Sequence, residues 1–333
     1  MTTRTPKPNK AFELKCINTV RVISAEQPGA AGSGHPGAPM GCAPMAHLLW
    51  SEVMDYSPSN PKWWNRDRFV LSNGHACALQ YTMLHLTGYG LEIDDLKQFR
   101  QLHSKAPGHP ENFVTKGVEV STGPLGQGIC NAVGMAIAQK HLAATFNTPQ
   151  IDLFDHRVYV ICGDGCLQEG VSSEACSLAG HLGLGRLIVL YDDNKITIDG
   201  STDLSFSEDV NKRYEAYDWH VQTVDSVEGS LEDLRSAVAN AKAVTDKPSI
   251  IKIRTTIGYG SVLQGTAATH GAPLKPDDLK QIKDQFGLRP EPFNVPSDVR
   301  FFYDERVKVV EEKRAEWDSK WTLYQSANPA LAA

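Results

Sequence analysis

The 333-residue sequence lacks the marks of several large protein classes. It contains no Gly-Lys dipeptide, which a P-loop requires, so that route to phosphate binding is closed. No apolar run approaches the ~20 residues needed to cross a bilayer, so no membrane span is expected. Basic charge is not in excess. The formal net charge is −6, which argues against a nucleic-acid footprint. The amino terminus has no apolar signal core and reads as a frayed tail over residues 1–10. The seven cysteines are odd in number. Cys162 and Cys166 stand four apart, without the second Cys pair or His pair of a zinc site. Free buried thiols in a reducing, cytoplasmic setting fit this pattern.

What is present has the periodicity of an α/β protein. Continuous apolar runs at 158–162 and 187–191 are the signature of strands buried on both faces of a parallel sheet. Further strands are expected at 68–72, 118–121, 219–224 and 249–255. Helices are expected at 11–27, 42–53, 76–87, 129–144, 167–182 and 231–243, with the Ala-rich 129–144 helix largely buried. The Gly- and Pro-rich stretch 32–41 reads as a loop. Alternation of strands and helices gives a doubly wound, mostly parallel sheet flanked by helices. Beyond Gly271, prolines punctuate short helical pieces, a charged helix covers 307–324, and 326–333 reads as a linker. The expected division is a tail (1–10), an α/β domain (11–272) and a helical extension with linker (273–333).

The chemistry concentrates at Gly163-Asp164-Gly165, at the end of one buried strand, and Asn194, at the end of the next. A dinucleotide fingerprint does not fit, because position 168 is Gln and Gly123-x-x-Gly126-x-Gly128 has its glycines in the wrong order. Ligands of open α/β sheets bind beyond the carboxyl ends of the strands, where both polar residues fall. Asp and Asn offer hard oxygen ligands suited to Mg²⁺ or Ca²⁺. Two side chains, one backbone carbonyl, a diphosphate and a water would complete an octahedral shell. The glycines allow a diphosphate to approach the backbone, and a helix beginning near 167 offers its N–H groups. A lone Gly-Asp-Gly is equally an ordinary turn. The Asn at the matched strand end is what favours the site.

Longer motifs surround this pair. They are Ser33-Gly-His-Pro-Gly37, Asp67-Arg-Phe-Val-Leu-Ser-Asn-Gly-His75, Pro107-Gly-His-Pro-Glu111, Thr122-Gly-Pro-Leu-Gly-Gln-Gly128, Gly163-Asp-Gly-Cys-Leu-Gln-Glu-Gly170, Tyr191-Asp-Asp-Asn-Lys-Ile-Thr-Ile-Asp-Gly200, Thr255-Thr-Ile-Gly-Tyr-Gly260 and His270-Gly-Ala-Pro273. With them the sequence, from about residue 11 to 325, resembles the N-terminal diphosphate-binding domain of the transketolase family.

The resemblance implies a thiamine diphosphate- and Mg-dependent enzyme that transfers a two-carbon ketol unit from a ketose phosphate to an aldose phosphate. It implies that Asp164, the Asn194 side chain and the Ile196 carbonyl hold the metal (Mg, or Ca). It implies that His75, Gly123, Pro124, Leu125 and Gly165, together with Asn194 and His270, line the cofactor. Glu169 resembles the acid that links the two cofactor sites of a dimer. His35, His109 and His270 resemble residues that touch the sugar phosphate, with His35 and His270 nearest the reacting carbons as the catalytic pair. These histidines also make chemical sense, since proton transfer to sugar hydroxyls near neutral pH calls for imidazole. A single loop histidine is usually just solvated, and that plain reading is kept for His47, His85, His141, His156, His181 and His220. His103 stays open.

The resemblance further implies that the pyrimidine-binding and C-terminal domains are absent. The chain would need that missing half or a partner subunit, and would form a homodimer or higher oligomer. Alternatives are a non-catalytic cofactor-binding module or fragment, a dihydroxyacetone synthase-like enzyme, or a 2-oxoacid dehydrogenase component. The histidines favour a sugar over a 2-oxo acid.

Overall fold

The computed structural model describes residues 8–333, so most of the expected tail lies outside the described residues. The Asn9 side chain accepts the Phe12 N–H at 2.9 Å and caps the first helix, so helix starts at Lys10. In chain order the elements are α1 (Lys10–Ala31), α2 (Gly37–Leu48), a π-helical turn (Leu49–Val53), β1 (Arg68–Leu71), α3 (Cys77–Leu86), α4 (Ile93–Lys97), α5 (Gln127–Phe146), β2 (Val158–Gly163), α6 (Asp164–Gln168), α7 (Gly170–His181) and β3 (Leu187–Asp193). They continue with β4 (Ile196–Thr197), β5 (Gly200–Ser201), α8 (Val210–Ala216), β6 (His220–Val224), α9 (Glu232–Ala243), β7 (Ser249–Arg254), α10 (Pro276–Phe286), α11 (Ser297–Ala327) and α12 (Pro329–Ala332).

Five strands form a parallel sheet in the order β1-β2-β3-β7-β6, as the doubly wound reading expects. Side chains alternate between its faces. Leu71, Tyr159, Ile161, Leu190 and Ile253 pack on one side in a core shared with α1, α2 and α3. Val70, Val160, Cys162, Val189 and Tyr191 pack on the other with α5 and α7. Val299, Tyr303 and Val310 of α11 join the first of these cores.

Five expectations are corrected. The 32–41 loop is shorter, because α2 already begins at Gly37. Pro39 falls in its first turn, where no intrahelical N–H is required. Pro44 lies inside α2 and cannot bond the Met40 carbonyl. The buried Arg21 Nε donates to that carbonyl at 3.0 Å instead. Residues 118–121 form no strand. Val118 N–H bonds the Thr115 carbonyl at 3.2 Å in a local turn, and the residue after the segment, Thr122, bonds the Pro110 carbonyl at 3.1 Å. The 167–182 helix begins earlier and breaks at Glu169, whose backbone is extended (ψ 131°). The Ser172 hydroxyl holds the break by donating to the carbonyls of Cys166 (2.5 Å) and Glu169 (2.9 Å). Helix α5 is buried on one face only, through Ile129, Ala132, Val133 and Ala136, while Asn131, Gly134 and Ala138 are exposed. At the carboxyl end, α11 starts ten residues earlier than the expected 307, and helix continues through most of 326–333.

His47 joins α2 to α11. It is fully buried, and its Nδ1 pairs with the Tyr303 hydroxyl at 2.7 Å. Burial lowers its pKa to about 3. The unfolded chain takes up this proton near pH 6.5 and the folded chain refuses it until about pH 3. Stability from this group is therefore complete above pH 6.5 and falls as the pH drops. Buried Asp67, raised to about 6, acts in the opposite direction, so the whole-chain curve mixes signs. The difference between the parent and His47→Gln isolates the histidine. We expect the variant to lose about 2 kcal/mol less than the parent between pH 6.5 and 5, measured by urea unfolding. Parallel curves would refute this assignment.

Candidate functional site

Four neighbouring strands, β1, β2, β3 and β7, point their carboxyl ends the same way, and each runs into one of the motif loops. Register fixes how the loops meet. Gly163 pairs with Asp192 and Asp193 with Arg254, so Asp164 and Asn194 leave the sheet side by side.

Asp164 is 4% exposed. Its Oδ1 accepts the Tyr191 hydroxyl, while its Oδ2 is buried without a partner among the described residues. Burial, and after it the nearby Asp192 and Asp193, pushes this carboxyl up to about 7, against the lowering effect of the Tyr191 hydrogen bond. Asn194 donates through Nδ2 to Asp192 Oδ2 at 2.8 Å, and its Oδ1 accepts the Ile196 N–H at 2.9 Å. Asp192 is itself buried and also accepts the Thr255 hydroxyl. Asn194 and Ile196 line a cavity of about 640 Å³ together with Lys195, Glu228, Arg254 and Thr255.

The glycines matter where loops touch. A methyl group on Gly165 would lie 2.7 Å from Leu125 Cδ1. One on Gly74 would lie 2.7 Å from Thr122 Oγ1 and 2.8 Å from the Gly123 nitrogen. The segment with Gly123, exposed Pro124 and Leu125 therefore closes against both the His75 loop and the Gly-Asp-Gly turn. Only glycine permits that approach.

Three imidazoles converge above this floor. The His35 and His75 ring centroids are 4.9 Å apart, His75 and His270 are 5.3 Å apart, and His35 and His270 are 5.8 Å apart. His109 belongs to the same wall, since a methyl group on Gly123 would meet its Cδ2 at 3.4 Å. Burial lowers all four pKa values, to about 4 for His35 and about 3 for His75, with mutual repulsion adding to the effect at both. The cluster is thus neutral at physiological pH, able to accept protons and to donate hydrogen bonds.

The structure brings together His35, His75, His109 and His270 as one group; Asn194 and Ile196 line one cavity, while Asp164, at the end of the adjacent strand, is not among its lining residues. Glu169 is exposed at the α6–α7 break, its Cβ against Gly126, and makes no ion pair among the described residues. His103, left open above, is exposed in a left-handed backbone conformation. Of the histidines read as plain, His85 bonds the Leu91 carbonyl, His156 bonds Asn65 and His220 bonds Ser249.

Sequence reasoning passed over Tyr191, Asp192, Asn73 and Thr122. The signal for the first two was available: a tyrosine and two aspartates close a strand otherwise wholly apolar. Asn73 Oδ1 and Thr122 Oγ1 could not be found that way, because they show only as buried atoms without partners. With Asp164 Oδ2 and His270 Nδ1, they make four orphaned polar atoms carried on four motif loops. Buried polar groups are normally paired, so these four atoms are open to a polar ligand or water, as are unpaired atoms away from these loops such as Tyr56 Oη and Gln80 Oε1.

These residues fit a divalent cation bound jointly with phosphate oxygens. Among the described residues, no three His, Cys, Asp or Glu side chains gather as a self-sufficient metal site. One buried carboxylate with a free oxygen, beside an amide oxygen, is the donor set expected when a hard cation takes its remaining ligands from a phosphate group and water.

Residues 12–333 match the family model described as "Transketolase, thiamine diphosphate binding domain". Transketolase 1 of Saccharomyces cerevisiae is 58% identical over 319 residues, covering 95% of this chain and 47% of that protein. Transketolase of Nostoc sp. is 53% identical, covering 97% of this chain and 49% of that protein. Among solved structures, transketolase from Pichia stipitis in complex with sedoheptulose-7-phosphate superposes with a TM-score of 0.95 at 52% identity, over 97% of this chain and 48% of that one. Transketolase from Leishmania mexicana gives the same TM-score of 0.95 at 52% identity, over 96% and 48% of the two chains. The chain thus spans about half the length of the curated relatives it matches. It belongs to the transketolase family, in which it corresponds to the thiamine diphosphate binding domain.

Proposed function

We propose that this chain supplies the diphosphate- and metal-holding half of a transketolase active site, and that the complete site moves a two-carbon ketol unit from a ketose phosphate to an aldose phosphate. Two observations carry this reading: the convergence of three imidazoles in ring contact, and the buried Asp164, one of whose oxygens has no partner among the described residues. Thiamine diphosphate supplies the nucleophilic carbon and the electron sink. Asp164, Asn194 and the Ile196 carbonyl would hold Mg²⁺ or Ca²⁺, which would neutralise the charge of the bound diphosphate. Gly165, Gly123, Pro124, Leu125 and His75 shape the diphosphate channel, and Glu169 faces the second cofactor site of a dimer.

His35 and His270 accept and return protons at the substrate hydroxyls, and His109 hydrogen-bonds the sugar. Neutral imidazoles suit this work, because a protonated ring has no lone pair with which to accept a proton. Seven free thiols support a reducing, cytoplasmic setting. Residues 273–333 form the extension that leads towards the pyrimidine-binding half.

Reconstitution tests this reading. The chain is mixed with the complementary half of a full-length transketolase, thiamine diphosphate and Mg²⁺. The expected results are ketol transfer and sedimentation of a complex holding two copies of each piece. Bound cofactor in such a complex without any ketol transfer would leave a binding module in place of an enzyme.

A further inference from the structure

We propose that Tyr191 is a positioning residue for the metal site: its hydroxyl pins one oxygen of Asp164 so that the other is presented to the cation. This inference rests on the metal-site reading above and adds a residue to it.

Tyr191 is fully buried in β3, with its ring in the core formed by Val70, Val160, Cys162 and Val189. A ring packed this way on a central strand has little rotational freedom, so its hydroxyl is a fixed point. That hydroxyl donates to Asp164 Oδ1 and lies 3.3 Å from Asp193 Oδ1. It is the one side-chain hydrogen bond that Asp164 makes among the described residues. That same Asp193 oxygen is already paired with Lys195 Nζ at 2.9 Å. Asp164 Oδ2 is left as the free oxygen.

Strand alternation explains why the two candidate ligands are held independently. Tyr191 and Asp193 project to one face of β3, while Asp192 and Asn194 fall in the opposite phase. Asp192 orients the Asn194 amide through Nδ2, and Tyr191 orients Asp164. The last residues of one strand thereby fix both ligands from behind. Without the hydroxyl, Asp164 can turn about its last torsion and loses its fixed aim.

The test is Tyr191→Phe, which removes the hydroxyl and keeps the ring. The variant and the unsubstituted chain are each paired with the complementary transketolase half. Mg²⁺ is titrated at saturating thiamine diphosphate, with cofactor binding followed by calorimetry. The expected result is a 10–100-fold rise in half-saturating Mg²⁺, the range typical for removing a group that orients a metal ligand. Excess Mg²⁺ should restore full cofactor binding, and the metal-free chain should still fold, melting somewhat lower because Asp164 Oδ1 loses its hydrogen-bond donor. An unchanged Mg²⁺ requirement overturns the proposal. So does a variant that fails to fold, or one whose defect resists excess Mg²⁺, since either outcome assigns Tyr191 to packing alone. If the unsubstituted chain binds no cofactor, the metal-site reading itself fails, and with it this inference.

Discussion

Asp164→Ala should abolish Mg²⁺-dependent binding of thiamine diphosphate while leaving the metal-free chain as stable as before, or more so. The two halves of this expectation come from the same atoms. For binding, the carboxylate is the only charged ligand in the proposed set, and no neighbouring group can replace it. Asp193 is engaged by Lys195, and Asp192 by Asn194 and Thr255. We expect affinity to fall by about 100-fold or more, equivalent to roughly 3 kcal/mol. For stability, the carboxyl sits in an unfavourable place. It is buried, one oxygen lacks a partner, and its pKa is pushed up to about 7. Removing it frees the Tyr191 hydroxyl to turn to Asp193 Oδ1, already 3.3 Å away. Sites that are strained until their ligand arrives commonly become more stable when dismantled. Calorimetry of cofactor binding and a melting curve of the metal-free chain check the two parts. Unchanged cofactor affinity would contradict the site assignment. A large drop in melting temperature would show that Asp164 serves the fold instead.

His270→Ala should do the reverse and spare the metal while impairing turnover. The imidazole closes the group with His35 and His75, and its buried Nδ1 has no partner among the described residues. Burial lowers its pKa, so the neutral ring is ready to take a proton. Removing a well-placed acid–base group costs about 10²–10⁴-fold in rate. In the reconstituted enzyme we therefore expect kcat to fall by at least about 10²-fold, with the Mg²⁺ requirement within a few-fold of the parent. His270 also lines the cofactor in this account, so a modest loss of thiamine diphosphate affinity is expected as well. Full retained activity would remove it from the proton-transfer role.

Much of this architecture was legible in the chain. The runs 158–162 and 187–191 announced central parallel strands because only a strand covered on both faces stays apolar throughout. Gly163-Asp-Gly165 and Asn194 were legible as a pair because strand ends in an open α/β sheet mark the ligand side. The misreadings have physical causes. Val118 to Ser121 has strand-like residues, but Val118 N–H turns back to the Thr115 carbonyl and the following Thr122 N–H to Pro110, within the same loop. Helix α2 was hidden by its prolines, one tolerated in the first turn and the other compensated by Arg21, a residue 23 positions earlier in the chain. The break at Glu169 depends on a serine three residues on, a local contact that periodicity does not register. Tyr191 was the largest omission at the site. Its position in β3 looks like core, and most of it is core; only the hydroxyl reaches the carboxylate.

The central claim is that this chain holds the diphosphate end of the cofactor through a divalent cation. Its most direct measurement is a calorimetric titration of the unsubstituted chain, paired with the complementary half, with thiamine diphosphate in the presence of Mg²⁺ and again in excess EDTA. The account predicts saturable binding with Mg²⁺ and its loss in EDTA. Equal affinity under both conditions, or no binding under either, would contradict it.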